Sequence, residues 1–290
     1  MPEMPDIEVY LDRARTLLQG RVLQRVRVLN PFVLRTALPP IASAEGHTVE
    51  GFERLGKRVV MALDGGLFVV IHLMIAGRLR WLAQGAKPPA RLSLAAFEFA
   101  HGTLVLTEAG TTRRASLHLV AGRDALVAMD PGGIDPVQAD LATFAARLAS
   151  ENHTLKRALT DPHLFAGIGN TYSDEILHRA RLSPLALTQS LPADAVQRLH
   201  AALREVIAEW TARLSAQAGA WPEKVTAFHP EMAVHGRFGQ PCPVCGTPVQ
   251  RIVYADNEAN YCARCQTGGR LLADRALSRL LKASWPKTID

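Results

Sequence analysis

Cys242-Pro-Val-Cys245 and Cys262-Ala-Arg-Cys265, sixteen residues apart (246–261), are two Cys-x-x-Cys knuckles that hold all four cysteines of the 290-residue chain. Four thiolates at this spacing can surround one tetrahedral Zn²⁺ and leave no ligand position open. The metal expected here is therefore a single structural zinc that folds the tail rather than activating water. Between the knuckles, Val249-Gln-Arg-Ile-Val-Tyr254 has the composition of a strand, which predicts a β-hairpin finger.

Outward from the knuckles, residues 234–290 carry eight Lys or Arg (237, 251, 264, 270, 275, 279, 282, 287) against four Asp or Glu (256, 258, 274, 290), a net +4. The whole chain has 33 basic and 27 acidic residues, a net +6, which suits a polyanionic partner such as nucleic acid. No apolar run reaches the ~20 residues that span a bilayer, and the start, Met-Pro-Glu-Met-Pro-Asp, lacks the basic and apolar regions of a secretory signal. The chain is read as cytoplasmic, of bacterial type and working at the nucleoid, with no membrane partner and no organic cofactor, and as a monomer.

Towards the N-terminus, Val196, Leu199, Leu203, Val206, Ile207 and Trp210 share one helical face within 193–214, and 155–159 and 172–180 give two shorter candidate helices. Gly167-Ile-Gly-Asn170 precedes one of them, a pattern that by itself reads first as a plain turn between helices and second as an anion cradle at a helix start. The turn-rich stretch Asp130-Pro-Gly-Gly-Ile-Asp-Pro136 reads as a linker. Before it the period falls to two, with strands over 22–28, 59–63, 67–73, 92–99 and 103–107 and turns at Asp64-Gly65-Gly66 and His101-Gly102. A first helix over 6–19 ends at Gly20. The fold expected is α+β and multidomain: a β-sandwich over 1–130, a helical domain over 131–233 and a zinc β-hairpin with a basic tail over 234–290.

The chain start carries one more feature. Loss of Met1 leaves the secondary amine of Pro2, and an α-amino group titrates near ~8, so a usable neutral fraction exists at pH 7. Such an amine can attack a sugar carbon and form an iminium, with Glu3 beside it to move protons. As pattern alone, Pro2 and Pro5 read first as stiffening the chain start, and Lys57 in Leu55-Gly-Lys-Arg58 as a hairpin-edge lysine; only context singles them out.

The Pro-Glu start, Gly56-Lys57, His72-Leu73 with Gly77, Arg113-Arg114, Gly167-Ile-Gly-Asn170 through Glu175 and the knuckles ending Cys265-Gln266 occur in an order that resembles the formamidopyrimidine-DNA glycosylase and endonuclease VIII family. The resemblance runs to about Gln266. It implies an antiparallel β-sandwich, a helix–two-turns–helix module and a zinc β-hairpin finger, with damaged double-stranded DNA bound between domains. It also implies a bifunctional DNA glycosylase and abasic-site lyase of base-excision repair. Pro2 would be the nucleophile, Glu3 its acid/base partner and Lys57 a phosphate-binding catalytic lysine, with His72, Arg113, Lys156 and Asn170 on the DNA and Cys242, Cys245, Cys262 and Cys265 on zinc.

This chain departs from the family pattern in three places. Ile75 and Ala115 stand where the family has Met and Phe fillers of the void left by the extruded nucleotide, so of three such fillers only Arg113 remains. Asp256-Asn257-Glu258-Ala259-Asn260 replaces a stretch bearing a phosphate-gripping arginine, which should weaken DNA binding. Residues 216–234 look shorter than the family segment that caps oxidised purines and lack its glycines. The alternative reading is a DNA-damage-binding protein with reduced catalysis on the same scaffold.

Overall fold

The computed structural model describes all residues except Thr111, Ala227, Asp290 and residues 255–256, 273–279 and 281–286. Asp256 and the basic Arg275, Arg279 and Lys282 of the tail thus lie outside the described residues, as does the Asn257 side chain. The chain divides into two compact units, Met1–Pro131 with Trp210–Thr226, and Gly132–Glu209 with Ala227–Asp290.

The first unit opens with helix α1, Met4–Leu18, which buries Ile7, Tyr10, Leu11, Ala14 and Leu18 at helical spacing. Eight strands follow: β1 (Arg25–Val28), β2 (Val49–Leu55), β3 (Arg58–Leu63), β4 (Leu67–His72), β5 (Gly77–Ala83), β6 (Ser93–Phe99), β7 (Gly102–Glu108) and β8 (Ser116–Ala121). They pair antiparallel into two four-stranded sheets, in the orders β1-β6-β7-β5 and β2-β3-β4-β8. Val26, Phe97 and Leu104 from the first sheet and Phe52, Met61, Val69 and Leu119 from the second share one core with α1. In β3 the period of two sends Val59 and Met61 into that core and Val60 to the opposite face, where a short helix α2 (Arg123–Val127) covers it with Leu126.

Trp210–Thr226 belongs to this unit although the sequence assigned it to the helical domain. The anchor is Trp221, whose ring lies 5.8 Å from Tyr10 and whose indole Nε1 donates to the Leu79 carbonyl at 3.0 Å. Arg78 Nε donates to the Val225 carbonyl at 2.7 Å, and Arg13 holds the Ser215 and Gly219 carbonyls, each at 2.8 Å. A buried indole must satisfy its N–H, so the Leu79 contact fixes where this segment can run.

The second unit contains α3 (Leu141–Ala149), α4 (Leu155–Thr160), α5 (Asn170–Ala180) and most of the long α6 (Ala193–Gln217), then the hairpin β9 (Gln250–Tyr254) and β10 (Asn257–Tyr261), and α7 (Ala263–Thr267). The helical and zinc segments, expected as separate domains, occupy this single unit. Two adjacent carboxylates on α5 join them. Asp174, with a fully buried side chain, accepts from Lys156 Nζ of α4 (2.5 Å), His235 Nδ1 (2.8 Å) and the Asn260 amide of β10 (3.1 Å). Glu175 accepts from the backbone amides of Ala233, Val234 and His235 at 2.8–2.9 Å. Burial raises the Glu175 carboxyl above its usual range, against the pull of those three amides.

Helix α1 begins with a reciprocal cap: Glu3 is the N-cap, and its amide donates to Asp6 Oδ2 at 2.8 Å. Burial pushes the Asp6 carboxyl up to about 7. Between about pH 4 and 7 the unfolded chain has lost this proton while the folded chain keeps it, so this group lowers stability as pH rises through that window and its cost is complete above pH 7. Asp6→Asn keeps the acceptor oxygen and removes the titration. Urea denaturation should find the variant more stable than the parent at pH 8, by at most about 4 kcal/mol, with the gap closing towards pH 4. In the second unit, Asp174→Ala strands the Lys156 ammonium in the interior and should cost about 3–5 kcal/mol by the same measurement; a loss under 1 kcal/mol would show that the network does not hold the unit together.

Candidate active site and nucleic-acid interface

The four knuckle cysteines are reduced, and their Sγ atoms all lie within 4.8 Å of one another, Cys242 and Cys265 at 3.9 Å and Cys245 and Cys262 at 3.3 Å. Thiolates ~2.3 Å from a central Zn²⁺ in a tetrahedron stand about 3.8 Å apart, so the donor set fits one structural zinc. The Cys265 amide points at Cys262 Sγ (3.5 Å), the Val244 amide at Cys242 Sγ (3.4 Å), and buried His178 Nε2 lies 3.3 Å from Cys242 Sγ. These contacts orient the ligands from outside the coordination sphere.

In the first unit, Pro2 and Glu3 are buried where the chain enters α1. Burial, then the charges of Glu3, Arg78, Asp6 and Lys57, shifts the Met1 ammonium, and the net effect is to lower it below the usual α-amino range. Two carboxyls and two cations thus converge on the chain start, where desolvation favours a neutral amine.

Lys57 belongs to a cationic corner of the same unit. Gly56-Lys57 is the two-residue turn joining β2 to β3, with Gly56 at φ +61°, and the register Arg58↔His72 sets the end of β4 beside it. Burial, then the charges of Arg58, Lys57 and His118, pulls His72 down to about 4, so its imidazole is neutral at pH 7. Crowded positive charge with a neutral donor is a setting that an anion such as a phosphate relieves.

Arg113 is exposed, and its Nη2 donates to the Arg91 carbonyl at 2.5 Å. Ile75 is 60% exposed in the turn between β4 and β5, next to Met74, which takes φ +53° at a cost of about 1–2 kcal/mol for a residue with a side chain. Gly77 closes this turn, and a Cβ there would lie 2.1 Å from the Leu73 carbonyl oxygen, so only glycine fits.

In the second unit, Asn170 is the first residue of α5, after Gly167 at φ +87°, and its side-chain amide donates to the Glu258 carbonyl of β10 at 2.8 Å. Lys156 differs from expectation. Its ammonium turns inward to Asp174 and to the Asn170 carbonyl at 2.7 Å and braces the turn from within, because a buried carboxylate without a cation would be too costly. Glu258, one of the two acids expected to weaken DNA binding, pairs with Arg251 across the hairpin at 3.7 Å.

Three residues near the chain start were not singled out by sequence reasoning: Asp6, Arg78 and Trp221. Asp6 carried a signal, since it is the N3 carboxylate after an N-cap acid. Arg78 lies in a strand that the sequence period does not report, and Trp221 in a stretch without periodicity.

Three family models match the chain: the Formamidopyrimidine-DNA glycosylase N-terminal domain over residues 1–115, the Formamidopyrimidine-DNA glycosylase H2TH domain over 132–216, and the zinc finger found in FPG and IleRS over 239–268. Formamidopyrimidine-DNA glycosylase of Thermus thermophilus is 34% identical over 281 residues, covering 93% of this chain and all of the relative. The counterpart in Geobacillus kaustophilus is 30% identical over 277 residues, covering 92% and 100%. The crystal structure of the Thermus thermophilus MutM (Fpg) protein aligns with a TM-score of 0.77 at 33% identity, over 91% of this chain and 98% of that one. A Lactococcus lactis Fpg in complex with DNA containing an abasic site shares the fold, with a TM-score of 0.80 at 23% identity over 91% and 99%. With its three domain types in order and a relative matched along its whole length, the chain belongs to the formamidopyrimidine-DNA glycosylase family, whose members are DNA glycosylases with abasic-site lyase activity.

Proposed function

We propose that this protein excises a damaged base from double-stranded DNA and then cuts the strand, using the amine of Pro2 exposed by removal of Met1. The observation that carries this reading is the placement of the chain start: Pro2 and Glu3 are buried where the chain enters α1, and the charges of Glu3, Arg78, Asp6 and Lys57 all reach the amine of Met1, one residue before Pro2. Pro2 nitrogen attacks the anomeric carbon, the bond to the base breaks and the base leaves with a proton. Glu3 protonates the ring oxygen as the sugar opens, giving an iminium. Loss of a proton from the adjacent carbon expels the 3′ phosphate, a second elimination expels the 5′ phosphate, and water hydrolyses the iminium to return the amine. Lys57 and neutral His72 hold a backbone phosphate through this sequence, and Asn170 contacts another. Zinc takes no part in the chemistry; it folds the finger. The enzyme works as a monomer in the cytoplasm, at the nucleoid.

Borohydride should trap a covalent complex between the Met1-free protein and abasic duplex DNA, and protein that retains Met1 should give none. Failure of the Met1-free form to trap, together with tight binding to the same duplex, would instead favour the damage-binding alternative. Glu3→Gln should lower base excision about 10²–10⁴-fold, the usual worth of a positioned proton donor, while trapping on a ready-made abasic site persists. Lys57→Ala should weaken binding and reduce the slope of log affinity against log salt by about one, as removal of a single phosphate contact predicts.

A further inference from the structure

The first unit contains a hollow of about 240 Å³ lined by Asn30, Phe32, Val33, Leu94, Arg113 and Ala115. Its floor includes Ala115, the small residue that stands where the family pattern expects a void-filling phenylalanine. At its rim is Phe32, 79% exposed. An exposed phenylalanine is ordinary on a loose loop, but this one sits on backbone pinned from both sides.

Phe32 is the middle residue of a single 3₁₀ turn, Pro31–Val33. Before it, the Leu29 and Asn30 amides both donate to the Leu94 carbonyl at 2.9 and 3.0 Å, and Asn30 Oδ1 accepts from the Phe32 amide at 3.1 Å. After it, Val33 is buried in the core and the Arg35 amide donates to the Leu117 carbonyl at 2.9 Å. Burial of the ring would gain about 1.5–3 kcal/mol, and the turn forgoes it.

The other side of the hollow is equally fixed. Buried Glu108 accepts from the Arg114 amide through both carboxylate oxygens (3.0 and 2.9 Å) and from the Ala115 amide at 3.0 Å, and Arg113 is tied to Arg91. Arg35, Arg91, Arg113 and Arg114 are all exposed, and among the described residues no carboxylate lines the hollow. A rigid aromatic ring across a hollow from exposed Arg113 matches nucleic acid: the cation takes a phosphate and the ring takes a base face or enters a base step.

We propose that Phe32 is the wedge that stacks into the duplex where the damaged nucleotide is extruded, working beside Arg113 in place of the aromatic ring that Ala115 lacks. The proposal rests on the glycosylase reading for the extruded nucleotide, but not on the chemistry of Pro2. Phe32 is a positioning residue. It touches the DNA stack rather than the reacting sugar.

The test uses full-length, zinc-loaded, Met1-free protein and a duplex with a tetrahydrofuran abasic-site analogue flanked by 2-aminopurine, whose fluorescence reports unstacking. Phe32→Ala should weaken binding to this duplex about tenfold or more, the scale of one lost base–aromatic stack, and should abolish most of the fluorescence change. Phe32→Trp should restore both and show its own indole quenched on binding. On cleavable abasic DNA, Phe32→Ala should lower the ratio of duplex to single-strand borohydride trapping about tenfold. Unchanged affinity and fluorescence in Phe32→Ala, or a loss that Phe32→Trp does not restore, would overturn the proposal. If the parent fails to trap yet binds the analogue in a Phe32-dependent way, the proline chemistry fails and the wedge stands.

Discussion

Two neighbouring carboxylates in the middle of α5 organise the second unit. Asp174 gathers a lysine from α4, a histidine from the segment before the finger and an amide from the finger's second strand, while Glu175 takes three consecutive amides at 233–235. Buried carboxylates are tolerated only when surrounded by donors, so each donor-bearing segment has one permitted place. A helical segment and a zinc hairpin that look independent in sequence are thereby made one body. Asn170 and its neighbours, which open α5, inherit their position from the same pair: Lys156 bridges Asp174 and the Asn170 carbonyl, and the Asn170 amide reaches the Glu258 carbonyl in the finger. The lysine is more useful as an internal brace than as an external cation, because it fixes the turn whose Asn170 side chain lies beside β10.

In the first unit the governing constraint is the entry of the chain into α1. A catalytic amine must be desolvated enough to be neutral and still be held in place, and a free chain terminus is ordinarily the most mobile part of a protein. Here the helix starts at residue 4, so only three residues precede it, and the Glu3 and Asp6 cap fixes their direction. Arg78 balances those two carboxyls and also holds the Val225 carbonyl. The segment around Trp221 is therefore tied to the residues that surround the chain start.

Legibility in the sequence followed the range of the determining interaction. The zinc knuckles, α1, the strands β3, β4, β6 and β7 and the helix α5 were readable because spacing or period reports them locally. Strands β2, β5 and β8 were not: Val-Glu-Gly-Phe-Glu-Arg-Leu is interrupted by a glycine and a register shift, Gly-Arg-Leu-Arg-Trp-Leu-Ala has an alternation carried by arginines, and Ser-Leu-His-Leu-Val-Ala sends only two large apolar residues, Leu117 and Leu119, into the core. Their pairing comes from neighbours distant in sequence. At the site, Pro2, Glu3 and Lys57 became meaningful only through resemblance, since nothing in Leu-Gly-Lys-Arg says that the hairpin turn abuts His72. Lys156 shows the converse: position suggested a phosphate ligand, and only the buried Asp174 eighteen residues later revealed the inward role.

The departures from the family pattern spare one group of positions. On the proposed reading, Ile75, Ala115, the segment around Trp221 and the finger stretch before Cys262 would meet the base stack, the excised base or a phosphate, whereas Pro2, Glu3 and Lys57 would serve the sugar chemistry and the cysteines hold the metal. Glu3 and Asp6 are both buried at the chain start, where they also cap α1, and burial of Asp6 raises its carboxyl. Those acids are retained, and the compensation at Ala115 is local: a hollow, a cationic rim and an exposed ring on a pinned turn. On the proposed reading, a surface that lacks one aromatic ring at Ala115 and displays another at Phe32 beside the same arginine would enter the duplex with a different side chain, while the groups around the chain start stay as they are.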